Sequence, residues 1–169
     1  QELAVWFHDA VYKPRSVPGD NEALSARLAG AMLTGFLGNA ELARVQRGVR
    51  ATGLHLKRSA PADVAIIIDL DVCSFAWDRT NFLASSLALA EELVPVVGQQ
   101  GFRAGRRKFL AELLAKGFVY RTRLFRERFE QSARDNILYL LENEPEFRPG
   151  RQIRQPGLKG GNPVRRPRN

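Results

Sequence analysis

Scarcity is the first signal in this chain: its 169 residues include one cysteine, one methionine and two histidines. The lone Cys73 excludes an internal disulfide framework and a cysteine-built zinc site, and its apolar surroundings make it core packing. Such usage fits a reducing compartment, cytoplasm or organellar matrix, rather than secretion. Long apolar runs are also missing. Val64 to Val72 is broken by Asp69 and Asp71 and falls far short of the roughly 20 residues a bilayer helix needs, so no membrane span is expected. No charged-then-apolar leader opens the chain, which begins at Gln1 inside what reads as a helix; the expectation is that upstream sequence has been removed or left out.

What is present suits one domain, since 44% hydrophobic residues over this length can bury a core. The net charge of +8 is unevenly spread. Residues 148–169 hold seven basic groups and no acid, leaving 19 basic against 18 acidic residues in 1–147. That stretch also carries Pro149, Pro156, Pro163, Pro167 and four glycines, a composition that cannot bury enough apolar surface to fold alone. The expected organisation is a nearly neutral domain, 1–147, and an extended basic tail, 148–169. Such a tail suits contact with a protein or with RNA, in the latter case with an affinity that falls as salt rises.

Hydrophobic spacing predicts helices over 2–12, 21–38, 40–54, 79–97, 102–116 and 121–141. Lys13-Pro14 closes the first, because proline disfavours helical geometry in the residue before it. Pro18-Gly19-Asp20 is a turn that offers Asp20 or Asn21 as the next N-cap, with Leu24, Leu28, Met32 and Leu33 recurring at helical spacing. Asp78 can cap the long helix after it, and Leu124, Phe125, Phe129, Ile137, Leu140 and Leu141 are expected to face inward in the last. Val64-Ala65-Ile66-Ile67-Ile68 is β-branched enough for a buried strand, yet no second run offers to pair with it, so a helix is expected there as well. The fold class is all-α, a helical bundle.

The chemistry-bearing stretch is Trp6-Phe7-His8-Asp9-Ala10-Val11-Tyr12, followed by Asp20-Asn21-Glu22 and Ser25. A histidine and a carboxylate side by side in an apolar segment need partners, and one metal ion satisfies both. Adjacent helical residues lie about 100° apart, close enough for an imidazole nitrogen and a carboxylate oxygen to meet one ion. Further ligands must come from elsewhere, and Asp69, Asp71 and His55 are available. Plainer readings exist: His8 as a core histidine bonded to its neighbour or to backbone, and Asp69 and Asp71 as a solvated helix face.

Taken in order, WFHDAVY, DNE..S, Ala51-Thr52-Gly53-Leu54-His55, the Asp69/Asp71 pair, Gly105-Arg106 and Glu130..Ala133-Arg134.Asn136 resemble a bacterial-type subfamily of predicted HD-superfamily phosphohydrolases, over about residues 1–142. The resemblance implies an HD-domain-like helical fold holding a divalent metal (Mn, Mg, Fe, Co or Ni) through His8, Asp9 and a later aspartate. Asp71 matches the family's pattern better than Asp69. It further implies that His55 contacts phosphate or a second metal, that Glu22 orients water, and that Arg106 balances phosphoryl charge. Arg106 also reads as one of Arg103, Arg106, Arg107 and Lys108 on a solvated face.

The implied activity is hydrolysis of a phosphoester, in a phosphorylated small molecule or nucleotide, by metal-activated water. Two departures bear on it: the family's other ligand histidine lies on a helix preceding the HD pair, and the stretch Cys73 to Leu93 lacks the family's tyrosines and arginine. The alternative is a non-catalytic HD-derived subunit of a larger assembly, such as a ribonucleoprotein or an organellar complex, anchored by its basic tail.

Overall fold

The computed structural model describes residues 1–14, 16–57 and 59–143. Among them the periodic segments become six α-helices and no strand: α1 Glu2–Phe7, α2 Asp20–Leu33, α3 Asn39–Ala51, α4 Ala62–Asp71, α5 Arg79–Ala115 and α6 Arg123–Asn143. Short 3₁₀ turns at Thr52–Leu54 and Cys73–Ala76 follow α3 and α4. The all-α expectation holds. The basic tail, 148–169, and the last residues of the 1–147 domain lie outside the described residues.

α1 is shorter than the spacing suggested, and the cause is a competing set of hydrogen bonds. The Ser25 hydroxyl accepts from the Val11 amide at 3.0 Å and donates to the Val11 carbonyl at 3.2 Å. Asn21 likewise accepts from the Lys13 amide at 2.9 Å and donates to the Lys13 carbonyl at 3.2 Å. With both backbone groups held against α2, the chain leaves the helix at His8. Asn21 therefore fastens the incoming loop rather than capping α2, whose N-cap is Gly19 at φ 93°.

The buried face of α2 also differs from the predicted stripe. Ser25, Ala26, Ala29 and Gly30 face inward while Met32 is 57% exposed, because small residues let α3 approach closely. The approach is tight on α3 as well, where a Cβ on Gly48 would lie 2.6 Å from Ile67 Cδ1 and 2.8 Å from Ala4 Cβ.

The β-branched run is helical, with Val64, Ile67 and Ile68 at i, i+3 and i+4 buried on α4. Burial on this scale contributes about 1.5–3 kcal/mol per large aliphatic side chain, enough to override strand propensity. α4 sits at the seam between two cores. Ile67 packs with Ala4, Ala26, Ala29, Val45 and Val49, whereas Val72, just past its end, joins Phe75, Phe82, Phe102, Leu110, Tyr120 and Ile137.

The two predicted helices 79–97 and 102–116 run on as α5, interrupted at Gly98, whose φ of 77° and ψ of 158° are not helical. Pro95 lacks the amide that would bond one turn back, and glycine tolerates the resulting bend. Asp78 caps α5 as expected, accepting from the Asn81 amide at 3.1 Å. By length and composition alone, α5 could cross a membrane. Its Glu91 and Glu92 pair interrupts the apolar half, and Phe82, Ser86, Ala90, Phe102, Leu110 and Leu113 are buried in the helical body. On α6, Phe125, Ile137 and Leu140 face inward as expected, but Leu124 is 50% and Phe129 37% exposed.

Candidate metal centre

His8 is the C-cap of α1, still with helical backbone angles, and its ring turns back to bond the helix it has just left. Nδ1 lies 2.6 Å from the Val5 carbonyl, an acceptor only, so Nδ1 carries the proton. The other nitrogen is thereby committed to the opposite side, where Nε2 stands 3.0 Å from Asp71 Oδ1 and 3.3 Å from Asp9 Oδ2. Asp71 reaches this point from the last turn of α4. Its other oxygen, Oδ2, is 2.7 Å from Nε2 of His55, which follows the 3₁₀ turn after α3. Two imidazoles thus meet opposite oxygens of one carboxylate.

Electrostatics follow from that contact. Hydrogen bonds to Asp71 and then Asp9 raise the His8 imidazole from its ordinary 6.5 to about 11, against an opposing effect of burial. Burial pushes the Asp71 carboxyl up, but the hydrogen bonds from His55 and His8 outweigh it and hold the group well below the usual carboxylate range. A proton on His8 Nε2 is therefore held between two carboxylates in the metal-free protein.

A divalent ion fits the same place. His8, Asp9 and Asp71 each offer one ligand atom, and those atoms lie within 4.8 Å of one another. Two ligands about 2.1 Å from one ion at a right angle stand roughly 3 Å apart, the spacing His8 Nε2 already keeps from both carboxylates. Imidazole nitrogen with carboxylate oxygens suits a transition metal or zinc, and the Nδ1–H bond to Val5 supplies the orientation that ligating histidines use.

These residues line one cleft of about 710 Å³, and every predicted site residue, His8, Asp9, Glu22, His55, Asp71 and Arg106, borders it. Glu22 enters from α2 and rests against Gly53, where an added Cβ would lie 3.3 Å from its carboxyl carbon. The bend in α5 lets both halves of that helix contribute, Ser85, Leu89 and Glu92 from one and Arg106 and Phe109 from the other.

Arg106 is not on a solvated face. Its guanidinium lies 5.3 Å over the Phe75 ring, its Nε is buried without a hydrogen-bond partner among the described residues, and burial lowers it to about 10. Neighbouring Arg107 is spent on structure, donating from Nη1 to the Leu141 carbonyl at 3.0 Å.

Asp69 belongs neither to the metal cluster nor to a solvated face. It is fully buried, and its carboxylate accepts from the amides of Arg121 and Thr122 at 2.7 and 2.8 Å and from the Thr122 hydroxyl at 2.7 Å. Glu130 holds the preceding residues in the same way, accepting from the Val119 and Tyr120 amides at 2.7 and 3.0 Å. Asn136 donates to the carbonyls of Phe75 and Trp77, both at 2.8 Å. The Glu130–Asn136 pattern is thus scaffold. Residue order alone gave no sign of Asp69's task, because its partners lie more than fifty positions away.

No protein-family model matches the chain, and neither the curated proteins nor the solved structures include a match to it.

Proposed function

We propose that the protein is a metal-dependent phosphohydrolase of HD type, with His8, Asp9 and Asp71 holding one divalent ion. The observation that carries this reading is the committed Nε2 of His8, aimed by the Nδ1–H bond to Val5 at two carboxylates with ligand-like spacing. The resemblance noted in the sequence supports it. A divalent ion held there supplies positive charge for a phosphoryl oxygen and makes a coordinated water acidic enough to react near neutral pH.

The chain's own groups complete the site. His55, on Asp71 Oδ2, keeps Oδ1 turned toward His8 and lines the cleft beside Phe109, with ring centroids 6.3 Å apart. Arg106 lines the cleft with its buried Nε lacking a hydrogen-bond partner among the described residues, and its planar fork suits two oxygens of one phosphoryl group. Its burial makes that contact strong, since the guanidinium gives up little solvent on binding an anion. Glu22, against Gly53 on the same wall, would accept a proton from water or orient it.

The test is hydrolysis of a generic phosphomonoester, such as p-nitrophenyl phosphate, with and without added Mn²⁺. Turnover that requires the ion, vanishes in Asp71→Ala and loses about 10²-fold or more in Arg106→Ala supports the reading. Metal-independent turnover that survives Asp71→Ala overturns it.

A further inference from the structure

The turn that presents His55 is held from outside the cleft. α3 and the 3₁₀ turn end at Leu54, and chain ends of this kind leave carbonyls without a helical partner. Lys57 returns one amide to the Leu54 carbonyl at 2.9 Å. The rest of the satisfaction comes from far along the chain. Arg121 Nη2 donates to the carbonyls of Leu54 at 2.5 Å and Lys57 at 2.7 Å, with a longer 3.4 Å contact to that of His55. Lys116 Nζ donates to the His55 carbonyl at 2.8 Å. Two cations thus sit at the negative end of the α3 segment, where the peptide dipoles favour them.

The donors are themselves fixed. Lys116 ends α5, and Gly117 turns the chain away at φ 97°, a conformation suited to glycine. The four amides from Val119 to Thr122 are claimed by carboxylates, Val119 and Tyr120 by Glu130 and Arg121 and Thr122 by Asp69. Asp69 is carried by α4, the helix that two residues later presents Asp71 to His8 and His55. Neither Lys116 nor Arg121 lines the cleft. Their side chains reach it through the carbonyls of the 54–57 turn.

We propose that Arg121, assisted by Lys116, is a positioning residue for the candidate centre: it clasps the 54–57 turn by its carbonyls and so keeps the His55 imidazole on Asp71 Oδ2. A consequence for metal affinity rests on the metal reading above; the clasp itself does not. The bond from the Arg121 amide to Asp69 involves backbone, so replacing the side chain leaves that anchor in place. Arginine is suited to the role because its guanidinium is always charged and a single nitrogen, Nη2, reaches the carbonyls of Leu54 and Lys57 together.

Two readouts on the full chain separate this proposal from a general loss of stability. In the metal-free protein, the ¹⁵N shift of His55 Nε2 at one fixed pH reports its bond to Asp71. Arg121→Ala is expected to shift it toward the value of a solvent-exposed imidazole, and free guanidinium ion to restore it. With Mn²⁺ as probe, Arg121→Ala and His55→Ala each weaken binding about tenfold or more, and the double variant binds no more weakly than His55→Ala alone. An unchanged His55 signal in folded Arg121→Ala overturns the clasp, as do losses that add in the double variant. Should the wild type bind no Mn²⁺, the metal reading fails and the His55 signal alone decides the clasp. If Arg121→Ala does not fold, Lys116→Met removes one donor and serves in both measurements, with the same outcomes expected in smaller size.

Discussion

Asp69 and Asp71 stand two residues apart on α4 and turn to opposite sides: Asp71 meets the imidazoles of His8 and His55, while Asp69 meets the amides of Arg121 and Thr122. The separation is what an α-helix dictates, since two residues rotate about 200° around its axis. One helix end therefore couples the cleft to the loop that braces it.

The two carboxylates are expected to fail differently. Asp69→Ala strands three donors in the interior and should cost at least about 3 kcal/mol in urea unfolding. Asp71→Asn, nearly isosteric in the cleft wall, should cost less than that while abolishing metal binding. Equal stability losses would mean that Asp69 has no special anchoring role.

His8 gives the metal-free protein a defined pH response. Its folded pKa of about 11 lies above the ordinary 6.5, so its stabilising contribution is fully present below 6.5, declines from there and is gone past 11. Asp71 acts in the other direction: its folded pKa is depressed, so its contribution is present above the usual carboxylate range and is lost in acid. The stability difference between wild type and His8→Ala should shrink steadily as pH rises from 7 toward 10, followed by urea unfolding in chelator. A difference independent of pH over that range would show that His8 does not hold the proton.

Metal binding has to displace that proton. Affinity for Mn²⁺ should then rise about tenfold per pH unit between 7 and 9, with close to one proton released per ion bound. Calorimetric titration in two buffers of different ionisation heat reads the proton count directly. A pH-independent affinity would place the ion away from His8.

Close packing under the site is also testable. Gly48→Ala would drive a Cβ into Ile67 and Ala4, at the junction of α1, α3 and α4, and should destabilise by about 1–3 kcal/mol. Gly53→Ala meets only the flexible Glu22 side chain at 3.3 Å, so thermal unfolding should change little. A reversed order would mean that the α1 junction is looser than drawn.

Much of this was legible in the chain, and the missing parts share a cause. Helical spacing located the elements, and the His8-Asp9 pair, Glu22, His55, Asp71 and Arg106 do border one cleft. The early end of α1 was hidden because Ser25 and Asn21 capture Val11 and Lys13 from another helix. The inward face of α2 was misread because close helix contact selected alanine and glycine over the larger Met32. The bracing roles of Asp69, Lys116 and Arg121 gave no sequence sign, since their partners lie 52 to 67 positions away. Local pattern finds groups that chemistry marks, whereas residues that brace them are defined only by distant contacts.

The most direct measurement is a Mn²⁺ titration of the full chain, stripped with chelator and then dialysed, alongside His8→Ala. The account predicts about one ion per wild-type chain and at least about 10²-fold weaker binding in the variant. A folded wild type that takes up no divalent ion, or a variant that binds as tightly, would contradict it.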